Sequence, residues 1–284
     1  MTEPSAGSLR VNGATLHFEV RGRGPLLLLV PGGTGGTASF DAIADHLATE
    51  YTVAAYDPRG MSRSALDDPE AEQRVAEHAD DALRVLDLLS PGEPARVFGS
   101  SSGAIAAVHL LTARPDRVVH LVAHEPPLVE VLPDAAEHRA LIARVGETFR
   151  TQGLMPAMSV FAAGLKKDSD SDSAGPQAEV ELPPQAAARA ERTMADLPYF
   201  VGRIVPSFMS YAPDVHRLQA LSDRLTLACG QDSRGELPYR PAEFLAERLG
   251  TELVHFPGGH TGLTTHPAEF GEALLKTLAA GTAG

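Results

Sequence analysis

The feature that most constrains the fold is the sequence Gly-Ser-Ser-Ser-Gly at residues 99–103. It follows a short apolar segment, residues 95–98, and precedes an alanine-rich segment with helical character, residues 104–112. A G-x-S-x-G sequence between a strand and a helix is typical of a nucleophile elbow, a turn so sharp that its central residue adopts strained backbone angles. The sequence therefore predicts that Ser101 stands at the apex of this turn, with its hydroxyl clear of the sheet.

Segments with the character of strands and of helices alternate through both ends of the chain. Strand-like runs occur at residues 26–30, 51–56, 95–98, 118–123, 225–229 and 252–256, and helical patterns at residues 40–49, 74–89, 241–249 and 267–279. Residues 9–12 and 15–20 flank Asn12-Gly13 and predict an antiparallel hairpin at one edge. The alternation predicts an α/β fold built on a doubly wound, mostly parallel sheet.

The alternation stops between residues 126 and 220. This part contains helical patterns at residues 135–149, 186–197 and 200–210 but lacks strand signals. We therefore expect a helical lid at 126–220, inserted between two parts of one core at 1–125 and 221–284. Residues 168–177 consist mainly of Asp, Ser, Gly and Pro and predict a mobile loop inside the lid.

Charge and the single cysteine limit the classes of partner. The chain has 37 acidic and 24 basic side chains and a formal net charge of −13, which argues against a nucleic acid or an anionic membrane as partner. Residues 1–10 lack the pattern of a signal peptide, so we expect a cytoplasmic protein that acts on a small molecule, either as a monomer or as a homodimer. Cys229 lies in a strand-like run and predicts a buried thiol.

A serine nucleophile needs a base and an acid. His260 follows the last predicted strand in Pro-Gly-Gly-His and is the predicted base, while Asp232 follows the penultimate strand and is the predicted acid. The carboxyl ends of parallel strands form one edge of a sheet, so Ser101, Asp232 and His260 can meet there. Glu125, directly after strand 118–123, is the alternative acid.

The order of nucleophile, acid and base, together with four motifs, resembles the α/β-hydrolase superfamily. The motifs are VPGG at 30–33, YDPRG at 56–60, CGQD at 229–232 and FPGGH at 256–260, and the likeness extends from about residue 9 to 280. The resemblance implies an eight-stranded, mostly parallel sheet and a lid inserted after strand six. It also implies hydrolysis of a carboxylic ester or related bond without a metal or other cofactor. Some members of the family take their acid from the earlier strand, which corresponds to Glu125.

The oxyanion of such a reaction needs two donors. The predicted donors are the backbone N–H groups of Ser102 and Gly33, with Thr34 as the alternative to Gly33. The family often has His-Gly where this chain has Pro31-Gly32, and a larger residue at the position of Ser102. The small hydroxyl of Ser102 therefore predicts an altered width and polarity beside Ser101.

Soft and aromatic side chains are concentrated in the insertion and predict an apolar substrate pocket. The predicted lining residues are Met155, Met158, Phe161, Tyr199, Phe200, Phe208 and Met209. The sequence thus predicts a serine hydrolase that cleaves an ester, lactone or thioester of an apolar or aromatic small molecule through an acyl-enzyme on Ser101. The same side chains could instead serve a carbon–carbon bond hydrolase, a lyase or a perhydrolase, and the fold could also serve a non-catalytic ligand receptor.

Overall fold

The computed structural model describes residues 4–166 and 184–281 of the 284-residue chain. The loop predicted at residues 168–177 lies outside the described residues. The strands are β1 (Ser5–Val11), β2 (Ala14–Gly22), β3 (Leu26–Val30), β4 (Thr52–Tyr56), β5 (Ala65–Leu66), β6 (Ala95–Ser100), β7 (Val118–His124), β8 (Leu225–Gly230) and β9 (Leu253–Phe256).

The described strands form one sheet in the order β1-β2-β4-β3-β6-β7-β8-β9, with β5 paired to β2. β2 pairs antiparallel with β1, β4 and β5, whereas every pair from β4–β3 to β8–β9 is parallel. The predicted α/β fold with a mostly parallel sheet of eight main strands is therefore confirmed. Strand β5 is absent from the sequence-based prediction because a two-residue strand carries no periodicity.

Helices α1 (Asp41–Leu47), α2 (Val75–Leu89) and α3 (Ser102–Ala113) precede the insertion. The inserted helices are α4 (Ala135–Gln152), α5 (Leu154–Leu165), α6 (Pro184–Tyr199), α7 (Val205–Met209) and α8 (Val215–Gln219), between β7 and β8. Helices α9 (Tyr239–Leu249), α10 (Gly262–Thr265) and α11 (Pro267–Ala280) complete the fold. In the described part of the chain, none of these helices has the length and apolar character needed to cross a bilayer.

The sheet is covered on both faces, which explains why its central strands are apolar without alternation. In β3, Leu28 packs into a cluster with residues of α2, α3 and α9, whereas Leu27 and Leu29 pack into a second cluster with residues of α1 and α11. All three leucines are fully buried. Burial of such a side chain contributes about 1.5–3 kcal/mol, so this strand anchors both layers of the core.

The lid has its own apolar cluster, formed mainly by α4, α5 and the segment around α7. Helix α5 was not predicted because its apolar side chains do not follow one clear stripe. The predicted regular helix at 200–210 is instead a π-helical segment, Phe200–Ile204, that continues into α7. Such segments widen a helix locally and often occur at functional sites.

The second half of the lid is attached to the core segment at residues 59–73. Four contacts join them: Tyr199 Oη donates to the Arg59 carbonyl (3.2 Å), the Ser62 N–H donates to Asp196 Oδ2 (2.9 Å), Ser207 Oγ donates to the Gln73 carbonyl (2.5 Å), and Arg203 pairs with Glu70. Three of these contacts use backbone groups of the core. Most of this attachment therefore does not depend on a particular core side chain, and the pair of Arg203 with Glu70 is the exception.

Candidate active site

Ser101 stands between β6 and α3 at a sharp turn of the backbone. Its φ of 52° and ψ of −124° lie in a region that non-glycine residues rarely adopt. The flanking glycines permit the turn, because a Cβ at Gly99 would lie 2.7 Å from the Cα of Ala104, and one at Gly103 would lie 2.4 Å from the Val30 carbonyl oxygen. The Ser101 N–H donates to the carbonyl of His124 (2.9 Å), which holds the turn beside the end of β7.

His260 follows β9 and meets a carboxylate from β7. Its Nδ1 lies 2.5 Å from Oε2 of Glu125, and Ser101 and His260 line the same cavities. A carboxylate that accepts from Nδ1 favours the tautomer with hydrogen on Nδ1, which leaves Nε2 as the basic nitrogen of the neutral ring. This pair therefore has the arrangement of a base and the acid that orients it.

Glu125 is fully buried and is held from several sides. Its backbone has a φ of 46°, and its N–H donates to the carbonyl of Ala228 (2.9 Å). Its Oε1 accepts from the N–H of Gly230 (2.8 Å) and from Oγ of Ser233. Both carboxylate oxygens are thus engaged, and the side chain has one defined position.

The surroundings of Glu125 also control its charge. Burial by itself raises the pKa of this carboxyl, but the hydrogen bonds with His260 and Ser233 and the interaction with His124 lower it. The lowering effects outweigh burial, so the pKa of Glu125 lies below its usual value. The carboxylate is therefore ionised at neutral pH and can stabilise a positive charge on His260.

The structure corrects the predicted partner of His260. Asp232 is exposed in the turn after β8, and its N–H donates to the carbonyl of Gly258 (3.0 Å), while the neighbouring Ser233 is buried and contacts Glu125. The carboxylate that meets the imidazole is Glu125, the alternative in the sequence analysis. Glutamate has one methylene more than aspartate, so a side chain from β7 can reach His260 past the intervening strand β8.

The two predicted oxyanion donors lie together beside Ser101. Gly33 and Ser102 line the same cavity as Ser101 and His260, whereas Thr34 lines a different, outer cavity. The N–H of Gly33 donates to Oγ of Ser102 (3.0 Å). From the sequence, the backbone N–H of Ser102 was predicted as a donor, and its small hydroxyl predicted an altered width and polarity beside Ser101. In the structure, the Ser102 hydroxyl accepts the hydrogen bond of the Gly33 N–H. An oxyanion that binds to this N–H must therefore displace the Ser102 hydroxyl.

An apolar cavity of about 200 Å³ lies between Ser101 and the lid. We call it the apolar cavity. Its lining residues are Gly33, Ser101, Ser102, Pro127, Phe161, Leu165, Phe200, Ile204, Val205, Phe208, Met209, Pro238 and His260. Phe161, Phe200, Phe208 and Met209 were predicted, whereas the aliphatic and proline residues of the lining were not.

Three predicted pocket residues lie elsewhere. Met155 is 64% exposed, Met158 packs against the apolar cluster of the lid, and Tyr199 donates its hydroxyl to the carbonyl of Arg59. All seven pocket residues were predicted from residue type alone. Only the docking of the lid helices decides which of their faces is turned towards Ser101.

Ser101 also lines a second cavity of about 220 Å³, whose lining is more polar than that of the apolar cavity. Its lining residues are Pro31, Gly32, Gly33, Ser39, Phe40, Ser100, Ser101, His260, Thr261, Leu263 and Thr264. Ser101 and His260 thus line both an apolar cavity and a second cavity that has more hydroxyl groups in its lining. Only the apolar cavity was predicted from the sequence.

Comparison with known proteins identifies the family. The profile of the α/β hydrolase fold family matches residues 25–267. The uncharacterized hydrolase YraK of Bacillus subtilis is 37% identical over 277 residues, which cover 96% of this chain and 95% of YraK. The chain therefore belongs to the α/β hydrolase fold family, and the resemblance inferred from its motifs is confirmed.

Further relatives have more specific names. A zearalenone hydrolase of Cladophialophora bantiana is 25% identical over 277 residues, covering 95% of this chain and 94% of the relative. A zearalenone hydrolase of Bionectria ochroleuca is 38% identical over 122 residues, covering 41% of this chain and 45% of the relative. The solved structure of a thermophilic esterase from Thermogutta terrifontis superposes with a TM-score of 0.73 at 20% identity and covers 99% of each chain, which shows the shared fold.

Proposed function

We propose that this protein is a serine hydrolase that cleaves a carboxylic ester, lactone or thioester of an apolar or aromatic small molecule through an acyl-enzyme on Ser101. One observation carries the proposal. Ser101, at its strained turn, lines the apolar cavity together with His260, and His260 is bound through Nδ1 to the buried carboxylate of Glu125. Such a set of nucleophile, base and acid is the arrangement that activates a serine hydroxyl.

In the first half of the reaction, Nε2 of His260 takes the proton of the Ser101 hydroxyl while Oγ attacks the acyl carbon. The negative charge that develops on the acyl oxygen is stabilised by the N–H groups of Gly33 and Ser102. The imidazolium is stabilised by Glu125, whose lowered pKa keeps it ionised. The tetrahedral intermediate then releases the alcohol, thiol or enol, which takes the proton from His260 and leaves an acyl group on Ser101.

In the second half, water replaces the leaving group. His260 takes a proton from this water, whose oxygen attacks the acyl carbon, and the resulting tetrahedral intermediate releases the carboxylic acid and returns the proton to Ser101 Oγ. The chemistry of serine limits the substrate. A serine that attacked an alkyl carbon would form an ether, which water does not cleave under mild conditions, so turnover requires an acyl carbon.

The size and lining of the apolar cavity support the proposed substrate class. A volume of about 200 Å³ is below the range of about 300–1,000 Å³ typical of pockets that enclose a whole ligand. It therefore fits one apolar part of a substrate. The zearalenone hydrolases among the relatives are lactonases, which supports the inclusion of lactones in the proposed substrate class.

The test is covalent labelling combined with turnover. We expect a fluorophosphonate to label Ser101 and a p-nitrophenyl ester of a short apolar acid to give a burst of p-nitrophenol followed by steady turnover. The Ser101→Ala variant should show neither, although its circular dichroism should match that of the wild type. Failure of the wild-type protein to be labelled or to hydrolyse any acyl ester in a panel of chain lengths would refute the proposal.

A further inference from the structure

The polar side of the active site extends well beyond Ser101. The cavity of about 220 Å³ beside Ser101 shares Gly32, Ser39, Thr261 and Thr264 with an outer cavity of about 300 Å³. We call the two together the polar cleft. It extends from Ser101 in its inner part to Arg192 of α6 in its outer part.

The polar cleft differs from the apolar cavity in its side chains. Among the described residues that line the apolar cavity, Ser101, Ser102 and His260 are the ones with polar side chains. Besides Ser101, the inner part of the polar cleft has four hydroxyl-bearing residues, Ser39, Ser100, Thr261 and Thr264, together with the apolar Pro31, Phe40 and Leu263. Its outer part adds three more hydroxyl-bearing residues, Thr34, Ser62 and Thr193. Hydroxyls can donate to or accept from a ligand, so this side offers hydrogen bonds where the other offers apolar contacts.

One full positive charge lies in the polar cleft. Apart from His260, Arg192 is the only ionisable side chain among the described residues that line it. Asp196, one helical turn further along α6, does not line the cleft but accepts a hydrogen bond from the N–H of Ser62, which does (2.9 Å). It is near enough for the charge of Arg192 to offset part of the rise that burial causes in the pKa of Asp196. In a chain with a net charge of −13, a cation without a lining carboxylate beside it favours an anionic group at this place.

The residues around Ser101 also indicate which half of an ester lies on each side. Ser102, a proposed oxyanion donor, lines the apolar cavity and not the polar cleft. Thr261 and Thr264, which follow His260, line only the polar cleft. Gly33 and His260 line both spaces, so Ser102 and the two threonines are what distinguish them. His260 must protonate the leaving atom, and the residues that follow it line the polar cleft, which favours the leaving group in the polar cleft and the acyl chain in the cavity that Ser102 lines.

We infer that the substrate is an ester or thioester with an apolar acyl group and an anionic leaving group, and that the polar cleft binds the anionic group through Arg192 and the surrounding hydroxyls. This inference rests on the proposed function, which it narrows. A carboxylate is the simplest such anion, because a guanidinium can bind both of its oxygens. Arg192 is exposed, so its contribution should be modest and sensitive to salt.

A matched pair of substrates tests the inference. 4-Carboxyphenyl butanoate and 4-carbamoylphenyl butanoate share an acyl group and a leaving-group skeleton but differ in charge. Because an exposed ion pair contributes up to about 1 kcal/mol, Arg192→Gln should lower kcat/KM for the carboxylate ester about fivefold. It should leave kcat/KM for the carbamoyl ester within about 1.5-fold, since that ester has no charge for Arg192 to bind. Differences in intrinsic reactivity cancel when the ratio of the two substrates is compared between variants.

The matched control is Arg150→Gln, which removes the same charge from an exposed arginine on α4 that is paired with Glu147. Arg150→Gln should leave the ratio of kcat/KM for the carboxylate ester to kcat/KM for the carbamoyl ester unchanged. Charge reversal in Arg192→Glu should lower the ratio further than Arg192→Gln, and 1 M NaCl should reduce the wild-type ratio towards that of Arg192→Gln. Equal ratios in the wild type and Arg192→Gln would overturn the inference.

A third substrate tests the orientation. Monophenyl glutarate carries its carboxylate on the acyl side and has an apolar leaving group, so Arg192→Gln should not reduce its kcat/KM. A reduction for this ester, without one for 4-carboxyphenyl butanoate, would overturn the assignment of the leaving group to the polar cleft. The proposed function fails in a different way, namely if no ester is hydrolysed and the fluorophosphonate leaves Ser101 unlabelled.

Discussion

The turns that end β7 and β8 each carry a carboxylate, and the two have opposite surroundings. Glu125, after β7, is fully buried and accepts hydrogen bonds from Gly230, Ser233 and His260. Asp232, after β8, is exposed, and only its backbone N–H is engaged in the contacts near His260. A sequence-based search for the acid favours the turn after β8, yet the β8 turn instead supplies donors to the acid from β7.

The difference shows that the catalytic acid lies where hydrogen-bond donors can stabilise a buried carboxylate. A buried carboxylate is costly unless several donors satisfy its oxygens, and two of those donors, Gly230 and Ser233, come from the neighbouring strand and its turn. The β8 turn therefore supports the acid without carrying it. Four predictions test this comparison, from the largest expected effect to the smallest.

The largest effect is expected for Glu125→Gln. An amide nitrogen placed beside Nδ1 of His260 favours the wrong tautomer of the ring and cannot offset the imidazolium charge. We expect kcat for a p-nitrophenyl ester to fall about 10³- to 10⁴-fold with the fold retained. A loss of less than about tenfold, in a variant with unchanged thermal unfolding, would contradict the role of Glu125.

The second effect concerns stability, because the β7 end also buries His124. Burial lowers the pKa of His124 to about 4, and its Nε2 has no hydrogen-bond partner among the described residues. The unfolded state, with a pKa near 6.5, takes up a proton that the folded state cannot hold, so stability is full above about pH 6.5 and falls as the pH decreases towards 4. Protonation of His124 in the unfolded state should lower the free energy of unfolding by about 2 kcal/mol between pH 7 and pH 5.

Urea unfolding at pH 7 and pH 5 measures this loss. His124 packs against the rings of Phe256 and Phe270, so His124→Phe should preserve the packing and reduce the acid-induced loss by about 2 kcal/mol. His216→Gln, which removes an exposed histidine, serves as the control and should leave the loss unchanged. The same loss in His124→Phe as in the wild type would exclude His124 as its source.

The third prediction concerns the support that the β8 turn gives to Glu125. Ser233→Ala removes one donor to the carboxylate and leaves the Gly230 N–H, so we expect kcat to fall about tenfold with little change in KM. Ser233→Thr keeps the hydroxyl and should recover most of the activity. A change confined to KM or to stability would mean that Ser233 does not position Glu125.

The smallest effect is expected for Asp232→Asn. Because Asp232 is exposed and Glu125 already binds His260, kcat should remain within about twofold of the wild type. The measurement is steady-state turnover under the conditions used for Glu125→Gln. A loss comparable to that of Glu125→Gln would reverse the comparison and return the acid to the β8 turn.

Local patterns predicted the features that depend on local physics. The apolar runs predicted the main strands, and the glycines around Ser101 predicted a turn that needs small neighbours. No comparable pattern predicts α5 or β5, because α5 lacks a clear apolar stripe and β5 has only two residues. Regular structure is predictable where one period repeats over several turns or residues.

Long-range contacts account for the differences at the candidate site. Nothing local distinguishes Glu125 from Asp232, since both follow apolar strands and either could meet the imidazole. Likewise, seven soft or aromatic residues were equivalent until the lid was docked, when four of them came to line the apolar cavity and Met155 remained at the surface. Side-chain direction after docking is a property of the packed molecule.

The sequence by itself determined the layered α/β architecture, the sharp turn at Ser101 and the presence of a histidine after the last strand, because each depends on neighbours within a few positions. Only the tertiary structure decided that Glu125 meets His260, that the Ser102 hydroxyl accepts the hydrogen bond of the Gly33 N–H, and that Ser101 lines a polar cleft with Arg192 as well as the apolar cavity. These features join residues about 70 to 160 positions apart. Their geometry is set by the stacking of strands and lid, which a linear pattern does not encode.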